Sequence, residues 1–198
     1  YLTFVILYAA VAQRYNAQLF CVGTELVGTS SDAALWGEVI DSCRSVFHGP
    51  MTYAACPQEA LSIRFWRSLD FIGVNAYFPV STREHPSFEH ILYSWSTWTS
   101  MLKDLSKEYG REVILTEIGY MNSTLAPHDP GDFATKGTRD DQMQAECYRA
   151  ALTATREMEF LHGMWWWQWE LNDRCTGEII DYNPRTRPAE AVLQEFWR

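Results

Sequence analysis

The chain has 198 residues, 47% of them hydrophobic, with a formal net charge of −9 and a sequence pI of about 5.0. This suits one acidic domain with apolar material for a sizeable core, and it argues against nucleic acid or an anionic membrane as partner, because neither attracts a negative surface. The five cysteines (Cys21, Cys43, Cys56, Cys147 and Cys175) are widely spaced with no C-x-x-C pair, which argues against a disulfide framework or a structural zinc site. Most of them read as small buried hydrophobes.

In chain order, YLTFVILYAAVAQRYN reads as a helix. Its apolar run meets Gln13 and Arg14 too early to cross a bilayer, and it lacks the basic start and cleavage site of a signal peptide. Because the chain opens on Tyr1 rather than Met, it reads as a piece of something longer. AQLFCVGTEL (17–26) reads as a strand that ends at Glu25, and Ser30 to Asp32 can cap a helix through AALWGEVIDSCRSVF. GPMTYAA (49–55) is a short strand. A helix is expected from Pro57, where proline suits a first turn, through EALSIRFWRSL. LDFIGVNAYFP (69–79) is the next strand, and EHILYSWSTWTSMLKDLSKEYG is a long helix stopped at Gly110. The strand REVILTEIGY leads into a long Pro/Gly/Asp-rich loop, MNSTLAPHDPGDFATKGT. The helix RDDQMQAECYRAALTATREMEF, the strand HGMWWWQWEL and the helix RPAEAVLQEFWR complete the chain.

Five strands, each followed by a helix, predict an α/β fold with parallel strands and right-handed crossovers. A doubly wound sheet would bring a glycine-rich phosphate loop, and none is visible. A (β/α)8 TIM barrel gathers its functional residues at the C-terminal ends of the strands. Here the strand ends are polar: Glu25, Tyr53, Asn75 with Tyr77, Glu117, and Gln168 with Glu170. That pattern favours the barrel. Since a full barrel needs eight strands and about 250 residues, the chain is expected to hold roughly the last five βα units of one.

The stretch EVILTEIGY narrows the function. Val113 to Thr116 have the composition of a strand buried on both faces, yet Glu117 follows directly. A buried carboxylate costs several kcal/mol or more unless it is paired, hydrogen-bonded or protonated. Glu25 occupies the matching place in the first strand. A single strand-end glutamate is usually a solvated or capping residue; two at matching places, beside aromatic strand ends, favour catalysis. Retaining glycoside hydrolysis needs such a pair, one carboxylate attacking the anomeric carbon and the other serving as acid and then base. Tyr77 could donate a hydrogen bond that holds Glu117 ionised.

The pattern FCVGTEL, CRSVFHGPMTYAA, FWRSLDFIGVNAYFPV, EVILTEIGY, WWWQWE and RPAEAVL resembles glycoside hydrolase family 113, the β-mannanase-type TIM barrels of retaining clan A, over nearly the whole chain and in order. The resemblance implies a single catalytic domain over residues 1–198 that cleaves β-1,4-mannosidic linkages in mannan or mannooligosaccharides with retention of configuration. It implies Glu25 as acid/base, Glu117 as nucleophile and Tyr77 as the nucleophile's hydrogen-bond partner. The wider clan carries asparagine before the acid/base, in contact with the sugar 2-hydroxyl. Here Thr24 stands in its place, a departure that bears on recognition of that hydroxyl and not on the two-carboxylate chemistry.

Further substrate-binding candidates are Tyr53, Asn75, Trp167 and Trp169. The aromatic content is 15%, with nine tryptophans, and aromatic-rich clefts suit the flat, weakly polar faces of sugar rings. In MWWWQWE, Trp165 and Trp166 are expected to pack in the core, and Trp167 and Trp169 to form a stacking floor. Tyr53 could equally be a wedge at the rim, Asn75 a strut and Arg44 one half of an ion pair. The histidines show no ligand spacing, and HDPGD falls far short of a calcium loop, so no metal or other cofactor is expected. His128 reads as a surface residue. The expected partner is a polysaccharide or oligosaccharide, with no nucleic acid and no membrane. Two alternatives remain open: a hydrolase of another β-1,4-glycan or β-glycoside on the same barrel, and a non-catalytic carbohydrate-binding barrel.

Overall fold

A computed structural model of the chain describes residues 1–135, 137–171 and 179–197. Its helices are α1 (Leu2–Arg14), α2 (Ala33–Arg44), α3 (Pro57–Ala60), α4 (Phe88–Tyr109), α5 (Asp141–Thr155) and α6 (Pro188–Phe196). Its strands are β1 (Phe20–Thr24), β2 (Met51–Ala55), β3 (Phe71–Asn75), β4 (Glu112–Ile118) and β5 (Leu161–Trp166). The strands form one sheet in chain order, and β1–β2 and β2–β3 are paired in parallel. A doubly wound sheet reverses its strand order at a switch point. This one does not, which is the rhythm of a βα barrel. Among the described residues no helix is long and apolar enough to cross a membrane.

The backbone divides into two compact units. The first comprises Tyr1–Asn75, Lys103–Thr116 and Phe160–Gly163. All five residues of its strand β2 are buried, as expected for a parallel strand covered on both faces. Asp32 caps α2 by accepting from the Leu35 N–H at 3.0 Å, and the helix buries Trp36, Val39, Ile40 and Cys43. Trp36 stacks on Phe65 with ring centres 5.3 Å apart, and Tyr53 meets both rings edge-on. Arg44 is structural: its guanidinium lies 2.9 Å from Asp70, whose same oxygen accepts the Met51 N–H at 2.8 Å.

One expected helix is cut short. After α3 the chain turns through Leu61 to Arg64 into a 3₁₀ turn, Phe65–Ser68, instead of continuing helically. The Trp66 indole N–H donates to the Ala60 carbonyl at 3.0 Å, taking an acceptor that the next helical turn would use. Burial of Phe65 and Trp66 thus outweighs the local helical pattern.

The second unit comprises Ala76–Leu102, Glu117–Glu159 and Met164–Arg198. Helix α5 packs on α6, and Tyr148 of α5 stacks on Trp166 at 4.1 Å. Asp140 caps α5 through the Met143 N–H at 2.8 Å. A buried polar cluster ties two loops of this unit together. Arg187, 6% exposed, donates to Asp181 at 2.6 Å and to the Asn183 carbonyl at 2.6 Å. Asn122 donates to Asp141 at 2.8 Å and accepts the Asp181 N–H at 2.8 Å. Of the cysteines, Cys43 and Cys147 are buried, Cys56 is half-buried and Cys21 is exposed, while Cys175 lies outside the described residues.

Candidate active site

The sequence-predicted residues fall into two groups, one in each unit. In the first unit the end of β1 is irregular: Cys21 pairs with Thr52 and Thr24 with Ala54, so two residues of β1 oppose Tyr53 alone. Such a bulge bends a strand and re-aims the side chains after it. Gly23 lies in the bulge, where a Cβ would stand 2.8 Å from the Trp36 ring, so a larger residue would force the packing apart. Directly after the strand Glu25 adopts a φ of 50°, left-handed backbone that is uncommon outside glycine. Its amide N–H is held by the Ala54 carbonyl at 2.9 Å.

Glu25 is exposed, and its Oε1 accepts from Nδ2 of Asn75 at 2.9 Å. Asn75 itself is 1% exposed, and its Oδ1 accepts from the Thr116 hydroxyl at 2.7 Å. The structure therefore brings Glu25 and Asn75 together, with Thr116 as a third member. Thr24 is exposed at the strand end beside them in sequence. Tyr53 is fully buried. Its hydroxyl accepts from the Leu26 N–H at 2.7 Å and donates to Glu59 at 2.7 Å. Burial and then the bond to Glu59 push its phenol pKa up, so it stays a donor across the ordinary pH range. Tyr53 thus anchors the turn that carries Glu25.

In the second unit, the Tyr77 hydroxyl donates to Oε2 of Glu117 at 2.8 Å. Both side chains are half-buried, and the Tyr77 ring meets Tyr182 edge-on at 6.1 Å. The Tyr182 hydroxyl donates to the Pro130 carbonyl, which ties the loop after β4 to this aromatic pair. Burial pushes the Tyr182 phenol up to about 12. Gly119 follows Glu117 closely, and a Cβ there would lie 2.1 Å from the Trp167 carbonyl oxygen. The two backbones meet only because that position has no side chain.

Strand β5 ends at Trp166, earlier than its sequence suggests, although the Trp167 N–H still bonds the Ile118 carbonyl at 2.8 Å. The Trp167–Gln168 peptide is cis. Trp166 packs as expected, on Tyr148. Trp165 does not: it is 50% exposed, comparable with Trp167 and Trp169 at 45% each. Trp169 lines a cavity with Trp166, Leu193 and Trp197 against α6. His128 bonds the Arg83 carbonyl at 2.6 Å. Among the described residues no group of three or more His, Cys, Asp or Glu side chains is arranged to hold a metal ion.

Sequence reasoning missed Thr116, Glu59 and Tyr182. Only Glu59 carried a local signal, an acidic residue three places after Cys56 at the start of a short helix, where its carboxylate accepts the Cys56 N–H at 3.2 Å. Thr116 reads simply as a β-branched strand residue, and Tyr182 as one aromatic among many.

The profile of Glycoside Hydrolase Family 113 matches residues 1–178. Among solved structures, the chain is similar to a GH113 β-1,4-mannanase in a complex, at 22% identity and TM-score 0.88, covering 99% of this chain and 60% of that one. It is similar to the GH113 β-mannanase AaManA from Alicyclobacillus acidocaldarius in complex with ManMIm, at 25% identity and TM-score 0.85, with the same coverage. A β-glucuronidase from Ruminococcus gnavus is similar at 14% identity and TM-score 0.71, covering 100% of this chain and 36% of that one. The chain spans 60% of the length of the mannanases, and the shared fold is the α/β TIM barrel, here as five βα units. A comparison with curated protein sequences found no match.

Proposed function

The chain belongs to glycoside hydrolase family 113, and on that premise we propose that it carries the catalytic pair of a retaining hydrolase of β-1,4-mannosidic linkages. Glu117 is the nucleophile and Glu25 the acid/base. The observation that carries this reading is the Tyr77–Glu117 hydrogen bond at 2.8 Å. A phenol donating to a carboxylate oxygen favours the ionised form, which is the form that attacks. In the first step Glu117 forms a bond to the anomeric carbon as the glycosidic bond breaks, and the departing oxygen takes its proton from Glu25. In the second step Glu25 removes a proton from water, which displaces Glu117 and restores the original configuration.

Sugar binding in this reading falls to Thr24, at the place of a 2-hydroxyl contact, and to the half-exposed indoles of Trp167 and Trp169. Mannan as substrate rests on the similarity to mannanases of known structure. The test is hydrolysis of β-1,4-mannan and mannooligosaccharides by the full-length protein, beside its Glu25→Gln and Glu117→Gln variants, with product configuration followed by NMR. Retained products that vanish with either substitution are expected. Activity on a different β-glycan alone would overturn the mannan assignment and keep the mechanism. A folded protein that binds a glycan and hydrolyses none would leave a binding barrel.

A further inference from the structure

The first unit holds a three-residue chain that ends on the proposed acid/base: Thr116 hydroxyl to Asn75 Oδ1 at 2.7 Å, and Asn75 Nδ2 to Glu25 Oε1 at 2.9 Å. A carboxamide has one donating and one accepting end of nearly equal size. Which end faces Glu25 decides what that carboxyl can do. With the N–H facing it, Oε1 is an acceptor in both protonation states, and a proton on Glu25 must sit on Oε2, which has no hydrogen-bond partner among the described residues. With the carbonyl facing it, Asn75 would accept the acid's own proton and withhold it from substrate.

Asn75 is 1% exposed, so water does not settle its orientation. The Thr116 hydroxyl, a group able to donate or accept, here donates to Oδ1 and so holds the Nδ2 end toward Glu25. Its position is constrained in turn: the Thr116 methyl lies 2.9 Å from where a Cβ on Gly73 would stand, so the side chain packs directly over that glycine in the neighbouring strand. The turn carrying Glu25 is pinned separately through the Leu26 N–H and the Tyr53 hydroxyl at 2.7 Å. The carboxylate is thereby held at both its backbone and its Oε1 end.

We propose that Thr116 is a positioning residue which, through Asn75, reserves Oε2 of Glu25 for the catalytic proton. The proposal rests on the acid/base role given above to Glu25. In the first step the Glu25 Oε2–H bond breaks, its proton goes to the departing glycosidic oxygen, and that oxygen keeps the electron pair of the broken C–O bond while Glu117 supplies the pair for the new one. In the second step a proton from the attacking water returns to Oε2. Nothing is oxidised or reduced.

The test compares Thr116→Val, Thr116→Ser and Glu25→Ala in the full-length protein on two aryl β-mannobiosides. 2,4-Dinitrophenolate leaves without protonation; unsubstituted phenolate needs it. For Thr116→Val, kcat/KM is expected to stay within about twofold on the dinitrophenyl substrate and to fall roughly 10-fold or more on the phenyl one, in line with loss of part of a general-acid contribution. Thr116→Ser, which keeps the hydroxyl, is expected to restore the phenyl activity. Thr116→Ala replaces the valine variant if that does not fold. Equal losses on both substrates, or no loss on either, would overturn the positioning role. If Glu25→Ala itself fails to separate the two leaving groups, the acid/base assignment falls, and this proposal with it.

Discussion

At the scale of single residues, Glu117 answers the oddity of its own sequence. A carboxylate at the end of a buried strand is tolerable because Tyr77 supplies a hydrogen bond at 2.8 Å and the side chain is only half-buried. A hydrogen bond to a charged group contributes about 1.5–3 kcal/mol. Tyr77→Phe is therefore expected to lower kcat/KM on mannooligosaccharides by roughly 10- to 150-fold, with the thermal midpoint little changed. Steady-state kinetics and a melt on the same sample check it. A variant with unchanged kcat/KM would mean that the bond is a structural contact only. Asn75 and Tyr77 were both legible as strand-end polar residues two apart. Their division of labour, Asn75 on Glu25 and Tyr77 on Glu117, was not legible, because alternation along a strand says which face a residue takes and not which partner it meets.

At the scale of elements, the loop after β4 is the informative case. A loop of this length is usually functional, but the contacts that hold it come from far along the chain. Asn122 meets Asp141 and Asp181, and Arg187 closes the cluster from the turn before α6. Asp141 also receives the Arg139 guanidinium at 2.6 Å. The hydrogen bond from Arg139, above all, holds the Asp141 carboxyl below the usual range, with Asn122 and the Arg187 charge adding to it. A carboxyl depressed in the folded state stabilises the fold fully above its unfolded value, about 3.9. That contribution is lost as the pH falls below this value toward the lower folded one. The wild-type melting temperature is thus expected to drop below about pH 4 more steeply than that of Asp141→Asn, as a thermal scan from pH 7 to pH 3 would register. Parallel slopes would remove Asp141 from the acid response. Where the expected helix after Pro57 was cut short, the cause was likewise a distant demand, the burial of Phe65 and Trp66.

At the scale of the whole molecule, β1 and β5 are the outer strands of the sheet. In the first unit α1 exposes Phe4, Leu7 and Tyr8, each more than half. In the second, Trp165 and Trp197 are 50% and 62% exposed. Outer strands with unpaired backbone groups and exposed aromatic residues are templates for association. The 198-residue chain expressed by itself is expected to bind a hydrophobic dye such as ANS and to self-associate. The full-length protein is expected to do neither at the same concentration. Dye fluorescence and light scattering on the two would decide, and a monodisperse, dye-silent 198-residue chain would refute the expectation.

Sequence by itself determined the βα alternation, the parallel strands and the two glutamates at matching strand ends. Each of these is written locally, in periodicities of two and 3.6 residues and in polar residues that interrupt apolar runs. Tertiary structure decided how the candidates are wired: the bulge at Gly23 with left-handed backbone at Glu25, Tyr53 as an anchor, Thr116 behind Asn75, and an exposed Trp165. Those depend on hydrogen bonds and packing between residues tens of positions apart. A side chain's partner is set by which backbones the fold brings within about 3 Å, and local pattern carries no record of that.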